Sequence, residues 1–406
     1  MHRVVITGLG CIGPLGLDAA TTWQGMREGR SGVRPITGFA PGALRTRIAA
    51  QVQDTDLARH FDAKRLPLLD PVSQFALIAA REAVAQSGLD FTVDSLGDRT
   101  AVILGTAVGG EATREDASRR LYGENNPRVH PFTIIRLMAN APASQLSMEF
   151  GLRGPSFAVA SACASANHAM GQAMHMLRHG VAQVALTGGT EASLSLAVIK
   201  AWEAMRVLAD DVCSPFSKQR RGLVLGEGAG IFVLETLEHA QARGATILAE
   251  LAGSGMSSDA TDIVLPDAGG AARAMQGALA DAGLALQDID YINAHGTGTT
   301  ANDRTETRAI RQVFGAHANA LAVSSTKSMH GHLLGAAGAI ELLAVVGAMR
   351  ESLIPPTINY TEADPECDLD VVPNVARARP VRAALSNSFA FGGMNAAIAV
   401  KRWDGA

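Results

Sequence analysis

Apolar runs and helix-spaced apolar positions alternate along this chain. Runs such as VVITGLG at residues 4–10, TAVILG at 100–105 and GIFVLE at 230–235 have the length and composition of buried strands. Between them, DPVSQFALIAAREAVAQSG at 70–88 places apolar residues three and four positions apart, which predicts an amphipathic helix. This alternation is typical of an α/β protein in which helices cover both faces of a parallel sheet.

The alternation starts again after about residue 245. GLVLGEGAGIFVLE at 222–235 closes the first series and NSFAFGGMNAAIAV at 387–400 closes the second, and each is a glycine-rich turn that leads into an apolar strand. This weak internal repeat predicts two similarly built halves, residues 1–245 and 246–406, with the functional site between them.

Composition narrows the classes of protein to which this chain can belong. The chain has 406 residues, of which 47% are hydrophobic and 18% charged, and its net charge of −4 argues against a general nucleic-acid binder. Its four cysteines contain no C-x-x-C pair, so we expect free thiols and a cytoplasmic location. The N-terminus is broken by glycines, unlike a signal peptide, and the apolar segment 335–349 contains Glu341 and is too short to span a membrane.

Cys163 is the first candidate for chemistry. It follows the extended stretch FAVASA at 157–162 and precedes a helix-spaced stretch, so we expect its thiol at a helix N-terminus. Unpaired N–H groups and the helix dipole favour the thiolate there, which is the nucleophilic form of cysteine. The small neighbours Ala162, Ala164 and Ser165 leave room for a substrate. A buried, inert cysteine is the alternative that this segment alone leaves open.

Other reactive side chains follow strands of the second half. His295 follows DYINA and begins HGTGTT, while Lys327, His330 and His332 follow ALAVSS. Sites in α/β proteins gather beyond the carboxyl ends of strands, so these residues are expected to converge with Cys163. Each one alone is equally consistent with a structural residue, and the prediction rests on the set.

Four segments together resemble a known family. They are SACAS around Cys163, NAHGTGT around His295, SSTKSMHGHLLGAAGAIE at 324–341 and SNSFAFGG at 386–393. In order and spacing they closely resemble the motifs of β-ketoacyl-[acyl carrier protein] synthases of the elongating I/II type, and the similarity covers nearly the whole chain. The resemblance implies a thiolase-like αβαβα fold with two duplicated halves and a dimer, either with itself or with a ketosynthase-like subunit. It implies no cofactor, with a structural monovalent cation left open.

The resemblance also implies a reaction. An acyl group held on Cys163 would undergo decarboxylative Claisen condensation with malonyl-acyl carrier protein, in fatty-acid or polyketide/polyene elongation. The backbone N–H groups of Cys163 and Phe391 would form the oxyanion hole, and Phe391 would also act as a gate. His295 and His332 would stabilise the enolate that forms when carbon dioxide leaves.

Further roles follow from the same resemblance. Lys327 would give electrostatic support, and Glu341 would pair with Lys327 or a bound ion, because an unpaired buried carboxylate is costly. Trp202 is bulkier than the phenylalanine often found at its position, so we expect a shorter or flatter, unsaturated acyl chain. The remaining implied contacts are Val108, Phe132, Trp202, Thr297, Thr299 and Phe391 for substrate, and Lys64, Arg65 and Arg206 for the carrier protein.

Departures from the usual motifs point to a subgroup. SPFSKQRRG has Ser217 and Arg221 where many elongating synthases have aspartate, and AFGGMN has Ala390 and Met394 where GFGGTN is common. These features resemble nodulation-type and polyene-type synthases of specialised metabolism. A ketosynthase that is active only with a chain-length-factor-like partner stays open, although retention of Cys163 favours a catalytic chain.

An oxidoreductase that uses NAD(P) is a remote alternative. Gly8, Gly10 and Gly13 form a literal G-x-G-x-x-G after a predicted strand. Pro14 follows at once, however, and no strand ending in an acidic residue comes about 20 residues later to hold a ribose hydroxyl. A zinc site built from His295, His330 and His332 is also disfavoured, because the sequence around these residues offers no carboxylate or cysteine as a further ligand.

Overall fold

The computed structural model describes residues 1–39, 42, 44–53 and 56–405. Its strands are β1 (Val4–Ile12), β2 (Arg34–Pro35), β3 (Ile48–Ala49), β4 (Thr100–Gly105), β5 (Ser156–Val159), β6 (Val184–Glu191), β7 (Gly228–Thr236), β8 (Ala249–Ser258), β9 (Tyr291–Asn293), β10 (Ala322–Ser324), β11 (Leu353–Ile354), β12 (Arg377–Ala378), β13 (Ala383–Ala390) and β14 (Met394–Lys401). Its α-helices are α1 (Ala19–Arg27), α2 (Pro71–Ser87), α3 (Glu111–Ser118), α4 (Thr133–Leu137), α5 (Ala141–Phe150), α6 (Ser165–Arg178), α7 (Leu196–Ala204), α8 (Leu237–Ala242), α9 (Ala268–Ala282), α10 (Thr300–Phe314), α11 (Lys327–His330) and α12 (Ala337–Glu351).

Ten of the strands form one sheet in the order β10-β9-β13-β14-β8-β1-β7-β6-β4-β5. Each half contributes five strands with the same arrangement, since β5-β4-β6-β7-β1 is matched position by position by β10-β9-β13-β14-β8. The strands β1 and β8 pair antiparallel and join the halves. The predicted duplication is therefore confirmed. The expected all-parallel sheet is wrong, because β7 and β14 run antiparallel to both of their neighbours.

Helices cover the sheet in layers. Helices α2 and α5 pack on the outer face of the first five strands, and α9 and α10 pack on the outer face of the second five. Helices α6 and α12 lie between the two halves, where their apolar side chains meet residues of both. This is the predicted αβαβα arrangement. It brings the ends of β5, β9 and β10 toward the same central region.

The apolar segment near residue 340 is the central helix α12, which is buried on nearly every side. Helices that are apolar all round belong in the core of a large protein or in a membrane. Among the described residues, we find no helix whose length and apolar character would let it cross a bilayer.

The glycines of the N-terminal G-x-G-x-x-G serve helix packing. Gly8 and Gly10 lie inside β1, where a Cβ would come within 2.1 Å of the Ala83 carbonyl oxygen and 2.0 Å of the Ala79 carbonyl oxygen, respectively. Both carbonyls belong to α2, so only glycine allows the strand and the helix this close approach. A dinucleotide fingerprint instead needs its glycines in the turn after the strand, so this motif does not support an oxidoreductase.

Candidate active site

Cys163 lies in the short 3₁₀ turn Ala162–Ala164 between β5 and α6. The predicted extended stretch ends earlier than expected, at Val159, and the α-helix begins at Ser165. Ala162 has a φ of 48°, in the left-handed region that costs energy for a residue with a Cβ. The cysteine therefore sits in a tight, strained turn just before the helix, and its side chain is buried.

Burial dominates the electrostatics of the Cys163 thiol. Desolvation raises its pKa to about 12, and the nearby Lys327 ammonium opposes this only in part. Burial of the charge therefore opposes the thiolate that the helix N-terminus was expected to favour. With its pKa raised in this way, the thiol keeps its proton at neutral pH.

We expect alkylation of Cys163 by iodoacetamide to accelerate between about pH 7 and about pH 9. A raised pKa means that the reactive thiolate is scarce at neutral pH and increases about tenfold for each pH unit below that pKa. The rate constant is measured by intact mass at each pH, with Cys163→Ala to identify alkylation elsewhere. A rate that is already constant at about pH 7 would show a lowered pKa.

His295 and His332 meet at Cys163. One donor atom from each of the three side chains lies within 4.8 Å of the others, and the imidazole centroids are 5.3 Å apart with the rings nearly perpendicular. His295 follows β9, while His332 follows α11. Burial lowers the pKa of both rings well below the ordinary value, and the positive charge of Lys327 lowers it further. Both imidazoles are therefore neutral at neutral pH.

Backbone hydrogen bonds fix the ring of His332. The N–H of Leu334 donates to its Nδ1 over 3.2 Å, and the N–H of His332 donates to the Val224 carbonyl oxygen over 2.7 Å. Because Nδ1 accepts a hydrogen bond, the neutral ring carries its proton on Nε2. That N–H is available to stabilise negative charge on an oxygen.

Glu306 holds the loop that carries His295, and sequence reasoning missed it. Its carboxylate accepts the backbone N–H of His295 over 2.8 Å and that of Gly296 over 2.7 Å. Burial raises the pKa of Glu306 to about 7 despite these bonds. The available signal was an acidic residue on the buried face of α10, the helix that follows HGTGTT.

Lys327 and Glu341 form an ion pair, and both side chains are fully buried. Lys327 begins α11 and Glu341 lies on the central helix α12, so the pair links the His332 segment to the core. The second carboxylate oxygen of Glu341, Oε2, has no hydrogen-bond partner among the described residues. The ion pair with Lys327 agrees with the pairing expected for Glu341.

A cavity opens above the three reactive side chains. Trp202 and Phe391 lie side by side in its wall, with ring centroids 5.8 Å apart. Thr297 and Thr299 line it as predicted, and their hydroxyl oxygens are 2.9 Å apart. The wall also contains residues that were not predicted: Phe389 and Ala390 beside Phe391, Ala301 and Asn302 beside Thr299, and Val207, Leu223, Val264, Leu265 and Pro266 from other segments.

The glycine loop after β13 forms one side of this cavity. Gly392 and Gly393 have φ angles of 84° and 70°, which favour glycine. The N–H of Gly392 donates to the Ile263 carbonyl oxygen over 2.9 Å and ties Phe391 to the loop before α9. Ala390 ends β13 and is not among the described residues with a positive φ, so its backbone does not require glycine.

Two of the substrate contacts implied by resemblance lie outside this cavity. Val108 is half-buried in the loop after β4, where its N–H bonds to Glu191. Phe132 is 47% exposed, just before α4. His330, considered above as a zinc ligand, instead lies with Nε2 3.0 Å from the Thr326 hydroxyl. The roles of Val108 and Phe132 stay predictions.

The three residues implied in carrier contact differ in whether their charged group is exposed or already held in an ion pair. Lys64 and Arg206 are exposed, and Arg206 directly precedes Val207 of the cavity wall. Arg65 instead forms an ion pair with Glu149, which also binds Arg81. A guanidinium already engaged in this way is less free to meet a partner protein.

Comparisons with known proteins all identify the same family. The models named "Beta-ketoacyl synthase, N-terminal domain" and "Beta-ketoacyl synthase, C-terminal domain" match residues 1–240 and 248–361. Nodulation protein E of Rhizobium sp. (strain N33) is 53% identical over 406 residues, with 99% of each chain covered. The 3-oxoacyl-[acyl-carrier-protein] synthase 2 of Staphylococcus aureus (strain N315) is 42% identical over 409 residues, with the same coverage.

A solved structure, the ishigamide ketosynthase/chain length factor, superimposes with a TM-score of 0.93 at 39% identity and covers 99% of both chains. Its similarity extends to the whole αβαβα arrangement described above. With two family models that match most of the sequence and relatives of this identity over its full length, the chain belongs to the β-ketoacyl synthase family.

Proposed function

We propose that this chain is an acyltransferase that condenses an acyl group on Cys163 with malonyl-[acyl carrier protein], releasing carbon dioxide and forming β-ketoacyl-[acyl carrier protein]. The observation that carries this proposal is the convergence of Cys163, His295 and His332 in one buried cavity. In this proposal the half 1–245 supplies the nucleophile, and the half 246–406 supplies both histidines and Lys327.

The first half-reaction is acyl transfer to Cys163. The thiol gives its proton to a neighbouring imidazole as sulfur attacks the thioester carbonyl, because the protonated thiol is a weak nucleophile. The backbone N–H groups of Cys163 and Phe391 would stabilise the oxyanion of the tetrahedral intermediate. The carrier thiolate then leaves and takes up that proton, and the acyl group stays on sulfur.

The second half-reaction is decarboxylation and carbon–carbon bond formation. As the malonyl thioester loses carbon dioxide, the electron pair of the broken carbon–carboxylate bond moves toward the thioester oxygen. His332 Nε2–H and His295 would donate hydrogen bonds to that oxygen. Neutral imidazoles suit this task, because a protonated ring would quench the carbanion. The carbanion attacks the acyl carbonyl, the carbon–sulfur bond to Cys163 breaks, and the Cys163 thiolate that leaves takes up one proton from solvent.

A structural monovalent cation fits a group of orphaned oxygens near the ion pair. Glu341 Oε2, Asn293 Oδ1 and Ser386 Oγ are buried, with no hydrogen-bond partner among the described residues. Asn293 and Ser386 are paired in register on β9 and β13. Oxygen donors of this kind suit a hard cation, and we propose these residues as its ligands. When bound, the cation would supply fixed positive charge beside Glu341.

We expect the wild-type protein to transfer short or unsaturated acyl groups faster than long saturated ones. Trp202 lies against Phe391 and takes up more of the cavity than phenylalanine would. Trp202→Phe should therefore shift the preference toward longer chains by about tenfold in kcat/KM, a typical effect of a few methylene groups in an apolar pocket. Acyl carriers of graded length and unsaturation provide the measurement. A wild-type preference for long saturated chains would contradict it.

Arg206→Glu should raise the KM for carrier-bound acyl groups about tenfold and leave kcat nearly unchanged. Carrier protein is acidic in this chemistry, and Arg206 is an exposed cation beside the cavity wall. The matched control is Arg350→Glu, which changes an exposed arginine at the end of α12. An acyl thioester without carrier should react equally with all three proteins. An unchanged KM would remove Arg206 from the docking surface.

We propose a dimer with either a second copy or a ketosynthase-like subunit. Strand β5 is an edge of the sheet, and exposed apolar side chains lie on the neighbouring segments. Phe132 is among them, which supports its role in a subunit contact rather than in its own cavity. These exposed side chains are Leu121, Tyr122, Val129, Phe132, Ile134, Ile135, Met138 and Met148. The 39% identity to a ketosynthase/chain length factor favours a partner-dependent enzyme as the second candidate.

The experiment that tests this function is incubation of the purified protein with acyl-carrier and malonyl-carrier protein, followed by intact mass and peptide mapping. We expect an acyl adduct on Cys163, followed by a β-keto product longer by the two carbons of the malonyl unit. An adduct without condensation would indicate a missing subunit. No adduct with any primer would contradict the proposal.

The four cysteines are free thiols, which suits the proposed cytoplasmic location.

A further inference from the structure

The catalytic trio has the donor composition of a zinc site. Cys163, His295 and His332 each offer one donor atom, these atoms lie within 4.8 Å of one another, and all three side chains are buried. We propose that this trio binds Zn²⁺ reversibly and that zinc occupancy switches the enzyme off. The thiolate and two imidazoles would fill three positions, and the fourth would open to the cavity, as in zinc sites with an exchangeable ligand.

The sequence disfavoured zinc because the three nearby histidines had no cysteine beside them. The fold changes that set, since it brings Cys163 from the first half into the group and leaves His330 beside Thr326. A soft thiolate with two imidazoles is a donor set that zinc prefers, whereas Mg²⁺ and Ca²⁺ prefer oxygen. The chemistry of the set therefore selects the metal.

The two imidazoles differ in how readily they can bind a metal. At His332 the Leu334 N–H donates to Nδ1, so Nε2 carries the ring proton; zinc can bind Nε2 only when that proton moves to Nδ1 and the Leu334 hydrogen bond is lost. The ring of His295 donates to no acceptor among the described residues, and its Nδ1 is buried without a partner. Neither ring has to give up a carboxylate in order to coordinate zinc.

The charge of Lys327 opposes a cation at this site, since it lowers the pKa of both histidines. The fully buried ion pair with Glu341 offsets part of that charge. Binding replaces the thiol proton with the metal: Zn²⁺ and the Cys163 thiol give a zinc thiolate, and one proton leaves to solvent. While zinc is bound, the sulfur lone pair and both imidazoles are engaged. The inhibitory consequence rests on the proposed function, whereas zinc binding itself does not.

Equilibrium dialysis against zinc sulfate tests the site directly. Wild-type protein should bind zinc at one site per chain, and Cys163→Ala should weaken that binding by more than about 100-fold, beyond the range typical of changes outside the ligand set. The control is Cys367→Ala, a buried cysteine outside the trio, which should bind like wild type. His295→Gln provides a second ligand variant if Cys163→Ala fails to fold, as judged by circular dichroism. Equal zinc binding by wild type and both ligand variants would overturn the proposal.

Protection of the thiol in the wild-type protein gives an independent measurement. At free zinc about 100 times the dissociation constant, alkylation of Cys163 by iodoacetamide should slow about 100-fold, and a chelator should restore the original rate. An alkylation rate that zinc does not change would also overturn the proposal. If zinc protects Cys163 but the zinc-free protein does not catalyse condensation, the result would count against the proposed function alone. Active condensation with no zinc binding would count against this inference alone.

Discussion

Replacing Cys163 with alanine should lower the rate of condensation by at least about four orders of magnitude, because no other group can hold the acyl intermediate. The side chain shortens by one sulfur atom in a turn of small residues, so the fold should tolerate it. Cys367→Ala removes a comparable buried thiol from the second half and should leave the rate unchanged. Intact mass of the protein and chromatography of the carrier products measure the two half-reactions separately.

The same variant should still decarboxylate malonyl-carrier protein. In the proposed mechanism the enolate is stabilised by His295 and His332, and neither requires sulfur. Carbon dioxide release without condensation would therefore separate the histidines' task from the cysteine's. Loss of both reactions together would instead mean that Cys163 also positions the malonyl group. Condensation that survives in Cys163→Ala would contradict covalent catalysis altogether.

The periodicity of the sequence predicted the class of fold and its duplication, but not the direction of every strand. A buried strand has the same apolar composition whichever way it runs, and for that reason β7 and β14 were assumed to be parallel. The sequence pattern does not predict the pairing of β1 with β8 either, since that pairing depends on how the two halves meet in space. The glycines of β1 were ambiguous until α2 was seen to lie against them.

The motifs located the reactive residues, yet local sequence did not predict the effect of burial on the Cys163 thiol. A helix N-terminus favours a thiolate, but the desolvation that raises the thiol pKa comes from segments far away in sequence. Glu306 was missed for a related reason, because its carboxylate acts on the backbone of a loop that only the fold brings within reach. Phe132 differs again, since its side chain is exposed and lies outside the cavity in which the resemblance placed it.

Replacing Glu341 with alanine should reduce the free energy of unfolding by about 3–5 kcal/mol, because it leaves the Lys327 ammonium buried without its counter-charge. Both side chains are fully buried, so water cannot compensate for the lost carboxylate. Urea unfolding at fixed protein concentration gives the measurement, since an oligomer's stability depends on concentration. The control is Glu351→Ala on the same helix, which removes a partly exposed ion pair with Arg27 and the Trp23 indole hydrogen bond, and should cost no more than about 2 kcal/mol.

The double variant Lys327→Met with Glu341→Leu distinguishes a pair kept for stability from a pair kept for chemistry. Apolar residues of similar volume often replace a buried ion pair with no loss of stability, so the double variant should unfold at nearly the wild-type urea concentration. It should nevertheless condense poorly, because Lys327 would no longer act on His295, His332 and Cys163. A double variant that is stable and fully active would contradict the electrostatic role of Lys327. One that is as unstable as Glu341→Ala would mean that the segment around α11 needs the pair itself in order to pack.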